Sequence, residues 1–228
     1  MKKILETLKT KWAGYLLEII VIIIGIIGAF MLNSWHEGRK ERNFEHKVLT
    51  ELQSSLQSNI DYLDLAIERS DEAWKSSQLI LTYFDDDLPY RDSLDLHFSR
   101  SLFWFHPSIN SNAYESLKSY GLHLITNDSI RKNLTDIYEW KFIERLSLRQ
   151  EQYFYSSVSP LLKYWFESYE FIGEMKPQDF NTLKNSAEYK HILRTMIYNR
   201  KMQIQYFESI RQDRINLAEM INKELRKY

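Results

Sequence analysis

Every position from 19 to 32 is apolar or glycine, and no later stretch of the chain keeps polar residues out for so long. Leu16 and Leu17 extend the run outward past one acid, Glu18. Wound as an α-helix, residues 12–35 are about 35 Å long, against a hydrocarbon core of about 30 Å. Trp12, Tyr15 and Trp35 fall where an aromatic belt meets the headgroups. The pattern predicts a membrane-spanning helix over 12–35, a short cytoplasmic tail over 1–11 and a polar helical domain over 36–228.

Past the span the apolar positions become periodic. Leu49, Leu52, Leu56, Ile60, Leu63 and Ile67 recur at steps of three and four, with Trp74 and Leu81 in line. No proline and one glycine, Gly38, occur over 36–84, so this is one helix that continues the anchor as a stalk. Asp85-Asp86-Asp87-Leu88-Pro89 ends it. Short helices are predicted at 93–105 and 112–120, the second opened by an Asn112–Glu115 capping box and closed by Gly121. Asn127 or Asp128 starts a second long helix, 129–171, with Ile130, Leu134 and Ile137 inside. It kinks or restarts near Ser159, because Pro160 has no N–H to give the ladder. Residues 173–177 read as a loop and 178–184 as a short helix. A box at Asn185 and Glu188 opens the last long helix, 187–227. Its inner face carries Leu193, Ile197, Ile204, Phe207, Ile210, Leu217, Ile221 and Leu225. The class is therefore all-α: a single N-terminal transmembrane helix continuing into a long stalk helix, then an antiparallel helical bundle large enough to bury a core.

Composition narrows the function. The mean hydropathy is −0.45 although 44% of residues are hydrophobic, so the chain outside the anchor is polar and no second span is expected. A net charge of −1 gives no pull toward nucleic acid. The absence of cysteine removes disulfides, Cys-ligated zinc and thiol catalysis. Lys2, Lys3, Lys9 and Lys11 before the span balance Arg39, Lys40, Arg42 and Lys47 after it. The first group is compact, and the second is diluted by Glu37, Glu41 and Glu45. We read the N-terminus as cytoplasmic and the domain as periplasmic, on the inner membrane. A cleaved signal peptide shares the basic start, but the run ends in Phe30-Met31-Leu32-Asn33-Ser34-Trp35 without an A-x-A-like triplet.

Little in the chain points to catalysis, and no cofactor is expected. His36-Glu37-Gly38-Arg39-Lys40 opens like the zinc-protease signature but lacks the second histidine at position 40. Asp85, Asp86 and Asp87 lack the alternate spacing and turning glycine of a calcium loop and read as a solvated turn. Phe103, Trp104, Phe105 and His106 are the aromatic block of the domain, read as core or as the lining of a ligand pocket. Arg200 and Arg214 fall in gaps of the last helix's apolar face. They read as buried ion pairs with carboxylates such as Asp64 or Glu68, as side chains snorkelling out of the rim, or as an anion-recognition pair. Within the span, Glu18, Gly25 and Ala29 share one helical face. Glu18 either snorkels to the headgroups or joins the small pair Gly25–Ala29 in a helix–helix interface.

The stretches GYLLEIIVIIIGIIGAFMLNSWHEGRKER, HKVLTELQSSLQSNI and NAYESLKSYGLHLITNDSIRKNLTDIY resemble an uncharacterised family of Bacteroidota single-pass membrane proteins, known as a domain of unknown function. The likeness covers most of the chain. In that family a Gly-Glu pair opens the span; here Leu17 stands in place of the glycine before Glu18. The resemblance implies a helical domain outside the inner membrane and no assigned activity. The expected function is a single-pass membrane-anchored helical interaction or scaffold protein, a subunit of an envelope membrane complex that assembles through its transmembrane helix. Its expected partners are the lipid bilayer and, through the transmembrane helix, a second copy or another membrane protein. The alternative is an extracytoplasmic small-ligand sensor acting through a separate signalling partner.

Overall fold

A computed structural model describes the backbone of residues 2–105, 108–140, 142–169 and 173–228, with side chains throughout except at 2–11, 13, 15 and 142–144. The described residues are all-α, and the one extended pairing among them is an isolated bridge between Phe166 and Pro177. Helix α1 runs unbroken from Lys2 to Asp85. By contacts the chain divides into two compact units, Met1–Val48 and Leu49–Tyr228.

In the first unit the apolar run of α1 stands uncovered, and burial begins only at Glu45 and Val48. Its apolar side chains from Leu16 to Leu32 are all well exposed, Ile24 at 64% and Leu32 at 71%. It is the one described helix long and apolar enough to cross a membrane, and none of its apolar window is buried. That is compatible with a single-pass membrane protein.

The second unit is a helical bundle. Along α1 a line of buried positions, Leu49, Leu52, Leu56, Asn59, Leu63, Ala66, Ser70, Ala73, Ser77, Ile80 and Phe84, advances in alternating steps of three and four, with Ser55, Ile60 and Ser76 buried beside it. Along α8 (Ala187–Leu225) Tyr189, Leu193, Met196, Arg200, Gln203, Phe207, Ile210, Arg214, Leu217, Ile221 and Glu224 follow the same alternation, with Ile192 and Ala218 buried beside them. This spacing keeps one narrow seam of each helix against its neighbour over many turns. The two helices run antiparallel: Leu63 and Ala66 cluster with Phe207 and Ile210, while Ile80 and Phe84 cluster with Tyr189 and Ile192. Asp64 with Arg211 and Asp85 with Lys190 (3.6 Å) fix the register at the rim. The large apolar residues predicted to carry α1's inner face onward, Ile67, Trp74 and Leu81, are only half-buried. The seam passes instead through small residues, and the register sets Ser70 and Ala73 level with the long side chains of Gln203 and Arg200. Ile197, Ile204 and Leu225 likewise flank α8's seam.

An aromatic hub closes one end of the core. Tyr189 is fully buried, and its ring lies 5.0 Å from Trp165, 5.8 Å from Phe166, 6.0 Å from Phe84 and 6.4 Å from Phe98. Thus α1, α2 (Leu94–Leu102), α6 (Ser159–Trp165) and α8 meet on one side chain. The segment predicted as a loop is tied down too. Met175 is fully buried, its N–H bonded to the Asp95 carbonyl at 3.0 Å, and Gln178 N–H bonds the Trp165 carbonyl at 2.9 Å.

The helix predicted over 129–171 is a correction. It is divided into α4 (Asp128–Glu139), α5 (Phe142–Tyr153), a π turn (Phe154–Val158) and α6. Trp140 leaves the helical region at ψ 90°, where tertiary contacts hold the end of α4. Tyr138 stacks on Tyr114 at 4.7 Å, and Glu139 accepts from Tyr114 Oη at 3.0 Å. Near Pro160 the helix restarts at Ser159, as predicted: the π turn ends at Val158 and α6 carries Pro160 in its first turn. The wider turn dispenses with the N–H that proline lacks and moves the carbonyl its ring would strike. The helix predicted at 93–105 also stops earlier, at Leu102.

Capping is local, and at Asn127 and Gly121 it is as the sequence predicts. Asn127 Oδ1 accepts from the N–H groups of Ser129 (3.0 Å) and Ile130 (3.3 Å) at the start of α4. The same side chain's Nδ2 donates to Glu224 at 2.7 Å, tying α4 to the end of α8. Asn127→Ala is expected to cost about 1–3 kcal/mol in chemical denaturation, the cap and the charge-assisted bond together. Asn127→Asp should recover only the cap, because it sets two carboxylates against each other. Two boxes shift: Ser186, not Asn185, caps α8 through Tyr189 N–H. Asn112 lies inside α3 (Asn112–Tyr120), its N–H held by Asn110 Oδ1 at 3.1 Å. Gly121 does close α3, at φ 113°, a conformation that an L side chain rarely adopts.

Candidate functional site

The aromatic block decides the geometry of two cavities. At Phe103 the backbone turns extended (φ −67°, ψ 137°), and in extended chain successive side chains point to opposite sides. Phe103 and Phe105 line a cavity of about 420 Å³ with Leu65, Arg69, Glu72 and Leu96. Trp104 lines another, of about 230 Å³, between the end of α2, α5 and α8. His106, grouped with them by sequence, lies outside the described residues.

The charges in the two cavities differ. In the larger one Arg69 is already paired with Glu72 at 3.0 Å. The Trp104 cavity is walled by Leu102, Tyr153, Phe154 and Met196, with the Trp104 ring 4.3 Å from Phe154. Its polar lining among the described residues is Arg149, Gln150, Asn199 and Arg200, without a carboxylate. Arg200 is 5% exposed. Its Nη2 reaches the Ser101 carbonyl at 3.4 Å, and its Nη1 has no hydrogen-bond partner. Burial alone lowers its pKa, to about 10, so it stays charged at neutral pH. One turn on, Gln203 donates to Gln150 Oε1 at 3.1 Å, while its own Oε1 is buried without a partner.

The carboxylate partners predicted for the two arginines are therefore not in place. Asp64 is held by Arg211, which projects from the rim of α8, whereas Arg200 and Arg214 project into its seam. Arg214 is 3% exposed, donates to the Ile210 carbonyl at 3.3 Å and leaves Nε without a partner. Burial lowers its pKa, opposed by the nearby Tyr138, Asp213 and Tyr206. It borders an open, acidic hollow of about 640 Å³ with Asp136, Glu139 and Asp213, so its charge is balanced from outside. Among the described residues Arg200 has no such balance, and an uncompensated buried charge costs several kcal/mol.

Other sequence candidates are accounted for. The aspartates ending α1 are neutralised by bases of α7 (Phe180–Asn185) and α8: Asp87 by Lys184 at 2.5 Å, and Asp85 by Lys190 and by Arg194 at 3.7 Å. The Lys184 ammonium holds the Asp87 carboxyl below the usual carboxylate range. His97 shares a hydrogen bond with Ser76 Oγ at 3.0 Å. In the anchor, Trp12 and Trp35 are exposed, and the Arg39 guanidinium lies 5.7 Å from the Trp35 ring centre. Glu18, Gly25 and Ala29 are exposed, and a Cβ built on Gly25 would meet nothing within 4 Å. The Tyr15 side chain lies outside the described residues. Sequence reasoning missed Arg149, Tyr153, Phe154 and Met196. Only Met196, one turn before Arg200 on the same stripe, was within its reach. Compared with known proteins, the chain matches no family model, no curated protein and no solved structure, so its own geometry is the basis for reading its function.

Proposed function

We propose that this chain is a single-pass membrane-anchored interaction protein, without catalytic activity of its own, that assembles through its transmembrane helix. The observation that carries the reading is an apolar helical run with none of its window buried, in a chain whose second unit has its own closed core. We place it in the inner membrane with the N-terminus cytoplasmic and the bundle periplasmic, because the bases before the span are compact while those after it are spread among acids; the resemblance to Bacteroidota single-pass proteins agrees. Gly25 and Ala29 supply small surfaces on the face of Glu18, where a second copy or another membrane protein could approach closely. Gly25→Ile is expected to reduce the assembled fraction at least severalfold, measured as mass in mild detergent and by crosslinking in membranes. A wild-type chain that is monomeric and captures no membrane partner would sink the reading.

The Trp104 cavity favours a second reading, a ligand-sensing domain that acts through a separate signalling protein. A buried cation facing a hydrophobic cleft is the observation on its side.

A further inference from the structure

Arg200 gives the Trp104 cavity a chemical identity. The guanidinium presents a fork of N–H donors, of which Nη1 is unpartnered and Nη2 only weakly engaged, and no acid among the lining residues competes for it. Carboxylates match that fork with two parallel bonds. The walls beside it are Trp104, Phe154, Tyr153 and Met196, surfaces suited to a flat or aliphatic body. The exposed residues Arg149, Asn199 and Met202 mark the mouth.

We propose that this cavity binds a small organic monocarboxylate, its carboxylate on Arg200 and its apolar body, aromatic by preference, against Trp104 and Phe154. The size fits: a cavity of about 150 Å³ can take benzene, so about 230 Å³ holds a ring with a short acid arm and excludes a nucleotide. The charge count fits a monoanion, because one buried cation balances one charge and the second, Arg149, is out in solvent. Phosphate would bring excess charge and nothing for the aromatic wall. The inference supplies the ligand class of the sensing reading and is independent of assembly through the span. Binding can fail while the anchor still assembles, and the reverse.

The test is calorimetric titration of the full chain in nonionic maltoside micelles. The probes are phenylacetate, indole-3-acetate and hexanoate, with phenylacetamide and inorganic phosphate as controls. Saturable binding of at least one acid is expected, with the neutral amide and phosphate about tenfold or more weaker. Arg200→Met should abolish acid binding and yet melt about 2–4 °C higher than the wild type, since it removes an unbalanced buried charge. Met202→Trp, at the exposed mouth, should weaken binding without moving the melt. Amide bound as tightly as acid, acid affinity retained in Arg200→Met, or no saturable acid binding up to about 10 mM would each overturn the proposal. If Arg200→Met does not fold, unchanged affinity in both Arg200→Lys and Met202→Trp overturns it as well.

Discussion

Tyr189→Ala is expected to destabilise the bundle by about 3–5 kcal/mol, the range for emptying a large aromatic from a closed core. Its ring is in contact range of Phe84, Phe98, Trp165 and Phe166, which come from three separate segments of the chain. None of them can close over the gap without dragging its own helix, so the cavity persists and its cost is felt in full. The matched control is Tyr198→Ala on the same helix, 67% exposed and expected to stay within about 0.5 kcal/mol of wild type. The measurement is urea unfolding of the detergent-solubilised chain, followed by circular dichroism. A loss below about 1 kcal/mol for Tyr189→Ala would mean that the hub does not hold the helices together.

The second large effect is expected in the anchor. Each Leu, Ile, Val or Phe near the centre of a span favours insertion by about 0.3–0.6 kcal/mol, and each arginine opposes it by about 2.5–3.5 kcal/mol. The dozen such apolar residues from Leu16 to Leu32 therefore contribute about 4–7 kcal/mol in favour. The double change Ile23→Arg with Ile26→Arg shifts the balance by about 6–8 kcal/mol against insertion, enough to cancel it. The chain should move from the carbonate-resistant membrane pellet to the supernatant. Ile23→Leu with Ile26→Leu, which keeps the hydropathy, should leave it in the pellet. Equal pelleting of the two doubles would show that something other than this helix holds the chain to lipid.

Sequence and structure part company in instructive places. The last helix's apolar face was read from Leu193, Phe207, Ile210, Leu217 and Ile221, all of which are buried. Ile197 and Ile204 were read with them and only flank the seam, because apolarity marks a broad stripe while contact selects a narrow line within it. On α1 the same preference for large residues passed over Ala66, Ser70, Ala73 and Ser77. A small residue carries little hydrophobic signal, yet it is what lets a long side chain from the facing helix fit. The candidate site follows the same division. The gaps in α8's face made Arg200 and Arg214 visible, and the run of aromatics made Trp104 visible. Nothing in the order of residues said that Trp104 and Arg200 line the same cavity while Phe103 and Phe105 line another.

What the sequence determined by itself was whatever depends on neighbours along the chain. The apolar run of the anchor, the helical period, the Asn127 cap and the glycine that closes α3 are set within a few residues and need no fold to be read. What the tertiary structure decided was partnership at a distance. It broke the predicted second long helix at Trp140, where Tyr114 and its neighbours hold the end of α4. It gave Asp64 to Arg211 and left Arg200 buried, with no acid paired to it among the described residues. Hydrophobic period and capping act over about one or two helical turns, whereas the electrostatic balance of a buried charge depends on which remote side chains the packing brings within a few ångströms of it.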